Sequence, residues 1–596
     1  MKKYSPLAFL FSLLFAVSAY AGEGRYTLPL TGGGWSLWLD KEASWQNDRL
    51  YLPHEITDLS LLPVNTPTGG WQALNDNLDA VSVEVPGTVE EYLTTSDNPR
   101  PEDFKGVSWW YRKITIPADQ ANKRHLIYFE SVRMRAEVYL DGKLVAYDLI
   151  GETPFHVDIT KEAKPGTEQL LAVRVTNPGG NFHWQDFDIQ KWGEYNIPPA
   201  RSFSGIIGRV KLESVNPVFI SDIYMQNTPE PTKVNAIISF TNETPSSVKQ
   251  DVELTVSEKN RPDKVVFRQL LKHVSFPPGK REMMIPVSVS DAKLWDLDTP
   301  ELYTCNIQIK KGKNTLDRDK KNFGFRWFSA EGVGTDAVLR LNGRRVMLRS
   351  AISWGYFPVT GLIATPEMAE KQVLTAKKLG LNMLNFHRCI GSPVVLEKTD
   401  ELGLLYYEEP GSFHSANHDP FIRTIVNEKL KRMVHRDRSH PSLIIFNLIN
   451  EFGGPLSRDK ELVAKRMNDM REAHAVDPGR IMTFTSGWAG SEDREEDSKS
   501  HMLPFDTTLY RKGWFDNHRA GGPETYVESY YKGPKDNIMY TTNRKEIYVR
   551  GEEGAISTPP RIQMIYNQIS NSGKTGWDGL FWKSQYKAFT DYFQRK

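Results

Sequence analysis

The stretch Leu443-Ile444-Ile445-Phe446-Asn447-Leu448-Ile449-Asn450-Glu451 ends an almost unbroken apolar run in an amide and a carboxylate. An apolar run of this length reads as a strand buried on both faces, the habit of a parallel sheet. Polar residues at the C-terminal end of such a strand sit where a (β/α)8 barrel keeps its chemistry. The bland alternative is that Glu451 caps the next helix. Which reading holds depends on whether the flanking sequence supplies the rest of a barrel and a second acid.

Working outward, the sequence beyond Phe328 alternates short strands with amphipathic helices. Val346 to Ser353, Leu381 to Phe386, Leu404 to Glu408, Leu443 to Asn450, Ile481 to Ser486, His501 to Phe505 and Ile547 to Arg550 read as strands. Such alternation implies βα units and a parallel sheet. Thr365-Pro366-Glu367 predicts a helix start, with Thr at the cap and Pro at the first helical position. Seven strands are one short of closure. Gly579 to Trp582 is the only remaining candidate for an eighth.

Upstream the texture is all β. From about Arg25 to Asn216, short runs such as Val107 to Ile116, His125 to Glu130 and Ala136 to Leu140 are broken by Gly, Pro, Asn and Asp, and Asp141-Gly142 is a hairpin signal. A second, more compact set includes Val234 to Phe240, Gln250 to Val256, Met283 to Val289 and Tyr303 to Lys310, a length and strand count that suit an immunoglobulin-like sandwich. The division expected from sequence is therefore a leader at 1–21, a β-sandwich at 22–216, a second sandwich at 217–328 and a barrel domain at 329–596.

The leader has Lys2 and Lys3, an apolar centre from Leu7 to Val17, and Ala19-Tyr20-Ala21 before Gly22, the pattern of a cleavable secretory signal. It predicts a periplasmic or secreted protein without membrane insertion, and there is no cysteine near the cleavage site to carry a lipid. The only cysteines, Cys305 and Cys389, are far apart and give no disulfide framework. Lys+Arg 75 against Asp+Glu 74 leaves a net charge of +1, so nothing favours nucleic acid as a partner. Aromatic residues make up 11% with 15 Trp, a supply of flat faces on which sugars stack, although core packing uses the same residues. His435 and His440 lack a third ligand at recognisable spacing and no glycine-rich phosphate loop is present, so neither metal nor cofactor is expected. Homo-oligomerisation is left open.

Several segments occur in an order that resembles the family 2 glycoside hydrolases, the group containing β-galactosidases, β-glucuronidases and β-mannosidases. In the first domain they are Val85-Pro86-Gly87, Trp110-Tyr111-Arg112, Asp141-Gly142, Thr153-Pro154-Phe155 and Ser204-Gly205-Ile206-Ile207-Gly208. In the second they are Leu294-Trp295, Thr299-Pro300-Glu301-Leu302-Tyr303 and Phe323-Gly324-Phe325-Arg326. In the third they are Leu341-Asn342-Gly343 and Arg438-Ser439-His440-Pro441-Ser442. The resemblance implies a jelly-roll sugar-binding domain, an immunoglobulin-like sandwich and a (β/α)8 TIM barrel.

The same resemblance implies that Glu451 is the general acid/base of a retaining exo-β-glycosidase and that Asn450 contacts the sugar's 2-hydroxyl. It implies that Glu552, in Ile547-Tyr548-Val549-Arg550-Gly551-Glu552-Glu553-Gly554, is the nucleophile. Retention needs two carboxyl groups about 5 to 5.5 Å apart, which two converging strand ends can provide. Terminal β-galactosides or β-uronides of an oligo- or polysaccharide are the expected substrates. A second reading is a C-terminally truncated, inactive carbohydrate-binding remnant, raised by the 44 residues that follow Glu552.

Further substrate-binding candidates are His387, Arg388, Glu409, Trp488 and His501. Glu408-Glu409 closes another strand with acids, where a structural ion pair competes with a substrate role. His387-Arg388 follows the second barrel strand, and the family's Asn-to-Arg spacing is met only if Asn385 rather than Asn382 is the family's Asn. Trp488, His501, Trp514, His518 and Tyr526 fall in or near loops after later strands, where specificity is set, but aromatic residues there also serve as packing anchors.

Overall fold

The computed structural model describes residues 20–21, 24–76, 78–93, 104–179, 189–198, 203–413, 419–453, 458–487, 501–504, 513–519, 545–553, 561–572 and 576–595. Most of the expected leader, together with Trp488 and Tyr526, lies outside these residues.

The first domain packs a five-stranded antiparallel sheet, ending in Phe155–Asp158, on a six-stranded one centred on Gly106–Thr115 and Glu168–Asn177. Trp35, Trp110, Ile127, Val173 and Leu212 fill the space between them. The motifs Val85-Pro86-Gly87 and Ser204 to Gly208 meet here. A Cβ at Gly205 would lie 2.3 Å from the carbonyl oxygen of Gly87 and 2.8 Å from Trp110, so only glycine lets the two backbones pass. The second domain sets a three-stranded sheet (Val218–Asn227, Lys233–Asn242, Gly279–Ser288) against a four-stranded one, with Ile238, Leu254, Ile307 and Phe323 between. Seven antiparallel strands in two layers form an immunoglobulin-like sandwich.

In the third domain strands alternate with helices as far as residue 486. They run β1 (Ser350–Ser353), α1 (Pro366–Lys378), β2 (Met383–Phe386), α2 (Pro393–Leu402), β3 (Leu405–Glu408), α3 (Pro420–Asp437), β4 (Leu443–Asn450), α4 (Lys460–His474) and β5 (Ile481–Ser486). The strands pair in parallel in that order. Thr365 Oγ1 accepts the N–H of Met368 and Pro366 occupies the first turn of α1, the start that the sequence predicts. All eight residues of β4 are buried, because strands flank it on both sides and side chains cover both of its faces.

The residues before β4 anchor its bottom end. Asp400 receives the Ser442 hydroxyl at 2.6 Å and stands 2.6 Å from His440 Nδ1. Arg326, arriving from the second sandwich, donates to the carbonyl oxygens of Pro441 and Leu443. His440 is thus committed to this structural contact, at the opposite end of β4 from Glu451.

Beyond β5 the expected order changes in three places. Instead of a strand from His501 to Phe505, the two residues Met502–Leu503 pair antiparallel with β5, and Pro504 follows at once. The next parallel pair is β6 (Trp514–Arg519) with β7 (Ile547–Glu553). Trp514 is fully buried in the barrel interior with Ile445, Ile481 and Ile547, so it is a core residue and not a loop contact. Finally, Gly579 to Trp582 is not a strand: it begins helix α6 (Gly579–Gln594), which follows α5 (Ile562–Ser572). The apolar residues of Gly579 to Gln594 recur at helical spacing, a pattern that outweighs the first four read alone. Trp577, in the turn before α6, donates its indole N–H to the Phe357 carbonyl oxygen at 2.8 Å and meets Phe203 of the first domain edge-on at 5.6 Å.

Candidate active site

The chain leaves β4 through Asn450 and Glu451. Glu451 has φ +52°, and its N–H donates to the Ser486 carbonyl oxygen at 2.7 Å, which turns its side chain away from the strand path. Arg388, just beyond β2, also has positive φ, +53°. Left-handed backbone at two bulky residues costs of order 1 kcal/mol each and persists only where the surroundings fix it. Both residues stand at C-terminal strand ends, where barrels hold their chemistry.

Glu451 is held from two sides. Its Oε1 lies 3.0 Å from His518 Nδ1 and its Oε2 lies 3.6 Å from the Arg388 guanidinium. Its side chain keeps 15% exposure, whereas Arg388 keeps 7% and His518 3%. The Arg388 guanidinium rests 3.9 Å above the Phe413 ring and 5.5 Å from Trp354, which fixes its plane.

Behind Glu451 runs a buried polar chain. Ser486 Oγ lies 2.7 Å from both Asn450 Oδ1 and Glu409 Oε1. Asn447 Nδ2 donates to the Ile449 carbonyl oxygen at 2.7 Å, and Thr483 donates to Asn447 Oδ1 at 2.9 Å. Glu409 Oε2 accepts the Arg388 N–H at 2.9 Å and lies 3.8 Å from His387 Nδ1. Asn450 is fully buried, and its Nδ2 has no hydrogen-bond partner among the described residues.

Adjacent positions at this strand end diverge, as the pleat requires. Glu408 turns toward the helices, accepting the Gly391 N–H at 2.6 Å beside Arg436. Burial and the neighbouring Asp437 carboxyl push Glu408 well above the usual carboxylate range, so it is a structural acid. Glu409 is the one that joins the network around Glu451.

Strand β6 adds residues that the sequence reading did not carry forward as site members. Asp516 and His518, two apart, share a face, with His518 Nε2 3.8 Å from Asp516 Oδ1. Burial pushes the Asp516 carboxyl up to about 6, against the pull of His518 and of the backbone N–H groups of Gly551 and Gly487. The Gly551 N–H donates to Asp516 Oδ1 at 2.8 Å. In the parallel register His518 stands opposite Glu552. The backbone of Glu552 is thus brought beside the imidazole that touches Glu451; the side chains of Glu552 and Glu553 lie outside the described residues.

Among the other expected residues, His387 is buried with its ring edge-on to Trp354 at 4.8 Å, next to Glu409. Asn382 precedes β2 and binds backbone before β1, donating to the Met347 carbonyl oxygen, whereas Asn385 lies within β2 and Arg388 follows it at the mouth. His501 runs beside β5, its carbonyl oxygen accepting the Phe484 N–H. Among the described residues no group of His, Cys, Asp and Glu is arranged to hold a metal ion.

Two β-sandwiches leading into a parallel barrel, with strand-end carboxyl groups gathered at its top face, define a modular barrel protein of the carbohydrate-active kind. Three family profiles match the chain in order: the sugar-binding domain of glycosyl hydrolases family 2 at residues 73–197, the family 2 domain at 218–326 and the family 2 TIM-barrel domain at 336–539. The chain belongs to family 2 of the glycosyl hydrolases.

Among similar proteins, a putative β-glucuronidase of Formosa agariphila is 25% identical over 565 residues, covering 90% of this chain and 59% of that protein. A β-galactosidase of Thermoanaerobacter pseudethanolicus is 28% identical over 385 residues, 64% of this chain and 49% of the relative. The chain therefore spans between about half and three-fifths of the length of these curated relatives. The crystal structure of Bacteroides uniformis β-glucuronidase matches the fold with a TM-score of 0.60 at 20% identity, over 77% of this chain and 52% of that one. None of these matches lends support to the reading of the chain as an inactive remnant.

Proposed function

We propose that the chain is a retaining, exo-acting β-glycosidase that removes terminal sugars, β-galactoside or β-uronide, from oligo- or polysaccharides. The observation that carries the reading is the pairing of β6 with β7, which sets Glu552 opposite His518 while His518 contacts Glu451. The names of the relatives, β-glucuronidase and β-galactosidase, support the two glycone classes.

In this reading the Glu552 carboxylate attacks the anomeric carbon, the bond to the leaving oxygen breaks, and the Glu451 proton passes to that oxygen. Water then attacks the glycosyl ester as Glu451 takes its proton, and Glu552 leaves as carboxylate. The Nδ2 of Asn450, which has no partner among the described residues, is the donor for the 2-hydroxyl. Arg388 and Glu409 orient Glu451 and border the pocket. Trp488 and His501 are proposed as further substrate contacts. The leader-like N-terminus supports export to the periplasm or the medium.

A panel of 4-nitrophenyl β-glycosides (galactoside, glucuronide, galacturonide, mannoside, arabinopyranoside) tests the reading. Turnover of one glycone is expected, and Glu451→Gln and Glu552→Gln each lower it by about 10³-fold or more. With azide, Glu552→Gly should yield the inverted glycosyl azide and Glu451→Ala the retained one. A panel without turnover, or either Gln variant at full activity, would overturn it.

A further inference from the structure

Glu451, the group that must hand over a proton, has a cation on one side: the Arg388 guanidinium lies 3.6 Å from its Oε2. Its other oxygen faces His518, whose Nδ1 is 3.0 Å away and whose Nε2 points back toward the buried Asp516 at 3.8 Å. With an N–H on Nε2 turned to that carboxylate, Nδ1 presents a lone pair to Glu451.

We propose that Asp516, His518 and Glu451 form a proton-holding relay in which His518 and Glu451 share one proton. The proton sits either on Glu451 Oε1, donated to Nδ1, or on Nδ1 beside an ionised Glu451. Asp516 stabilises the second arrangement, and moving between the two changes no net charge. His518 is a positioning residue: it keeps the shared proton at the site and gives it to Glu451 Oε1 as Glu451 protonates the leaving oxygen, and the proton that Glu451 takes from water in the second step restores the pair. The device rests on the acid/base reading of Glu451.

Among the described residues, the charged groups around the pair are compatible with this role. Arg388 approaches Glu451 from the turn after β2, Asp516 backs His518 on β6, and Glu409 connects through Ser486 to Asn450 beside Glu451. The backbone of Glu552 stands at the His518 register on β7. Space for the imidazole is built in: a Cβ at Gly487 would lie 2.4 Å from Nδ1 and one at Gly551 2.6 Å from Nε2. Asp516 also accepts the N–H of Gly551, the residue before Glu552, so one strand aligns the acid/base and the nucleophile segment together.

Because coupled groups titrate as a pair, the shared proton belongs to both side chains and not to Glu451 alone. His518→Gln fills similar space and cannot take up the proton. With a phenyl β-glycoside of the glycone found above, which needs acid assistance, this variant should shift the alkaline limb of kcat/KM down by about one pH unit and leave the acidic limb in place. With the 2,4-dinitrophenyl glycoside, which departs unaided, the limb should not move. Asp516→Asn should produce a smaller downward shift of the same limb.

A readout free of turnover accompanies it. In ¹⁵N-histidine-labelled protein, the His518 ring resonance, identified by its loss in His518→Gln, should titrate at lower pH in Glu451→Gln and in Asp516→Asn. An unmoved His518 titration in both variants, or an unmoved alkaline limb in His518→Gln, overturns the relay. Full activity of Glu451→Gln on the phenyl glycoside would instead overturn the acid/base reading beneath it.

Discussion

Asp516 is buried where β5, β6 and β7 come together, and its carboxyl is pushed up to about 6 from an ordinary 3.8. Between those two values the folded chain binds more protons at this site than the unfolded chain does. Stability is therefore withdrawn as pH rises through the interval, and the full cost, about 3 kcal/mol for a shift of roughly two units, is present above about pH 6. Asp516→Asn still offers Gly551 an acceptor but no charge. On moving from about pH 4 to about pH 7.5, its unfolding free energy should gain about 2–3 kcal/mol relative to the parent, as read by urea denaturation at both values. An equal difference at the two pH values would show that the fold does not raise this carboxyl above its ordinary range.

The element that changes the account most is β6. Its residues Trp514 to Arg519 include Asp516 and His518, and Trp514 and His518 read as lying in or near loops because a strand is expected to be apolar or alternating. Inside a barrel the alternate face turns to the lumen, and there the polar residues belong. The Asp-x-His spacing was the available signal, since residues two apart share a strand face. By contrast β4, α1 and the strand–helix alternation through β5 were legible, because long apolar runs and capped helix starts are set locally. The end of the barrel was less so: helix α6 overrides a strand reading of its first four residues, and the antiparallel Met502–Leu503 depends on a pairing that no local pattern announces. Glu451, Asn450, Arg388 and Glu409 were readable as strand-end residues, but the division of labour between Glu408 and Glu409 needed the pleat. Gly551, between β6 and the nucleophile position, joins these elements, because an added Cβ would lie 2.6 Å from His518 and 2.7 Å from Asp516. Gly551→Ala should cost about 1–3 kcal/mol in thermal denaturation and lower kcat at least tenfold with a smaller change in KM. Wild-type kcat in that variant would contradict the packing of β7 against His518.

Across the whole molecule the three domains meet at opposite ends of the barrel. At the bottom, Arg326 brings the end of the second sandwich onto the start of β4. At the top, the first sandwich reaches the turns after β1 and β2: Phe203 packs on Tyr356 and Trp577, and a cleft between Glu130, Arg209 and Cys389 opens one residue beyond Arg388. Stability contacts thus gather below and chemistry above, the usual division in such barrels. Among the described residues no helix is long and apolar enough to cross a membrane. The central claim is that Glu451 and Glu552 divide a double displacement between them. It is tested most directly by inactivating the protein with the 2-deoxy-2-fluoro-β-glycosyl fluoride of its glycone and mapping the labelled peptide by mass spectrometry. One glycosyl adduct per chain, on Glu552, is the predicted result; an adduct on Glu553 or Glu451, or time-dependent turnover of the reagent with no adduct formed, would contradict it.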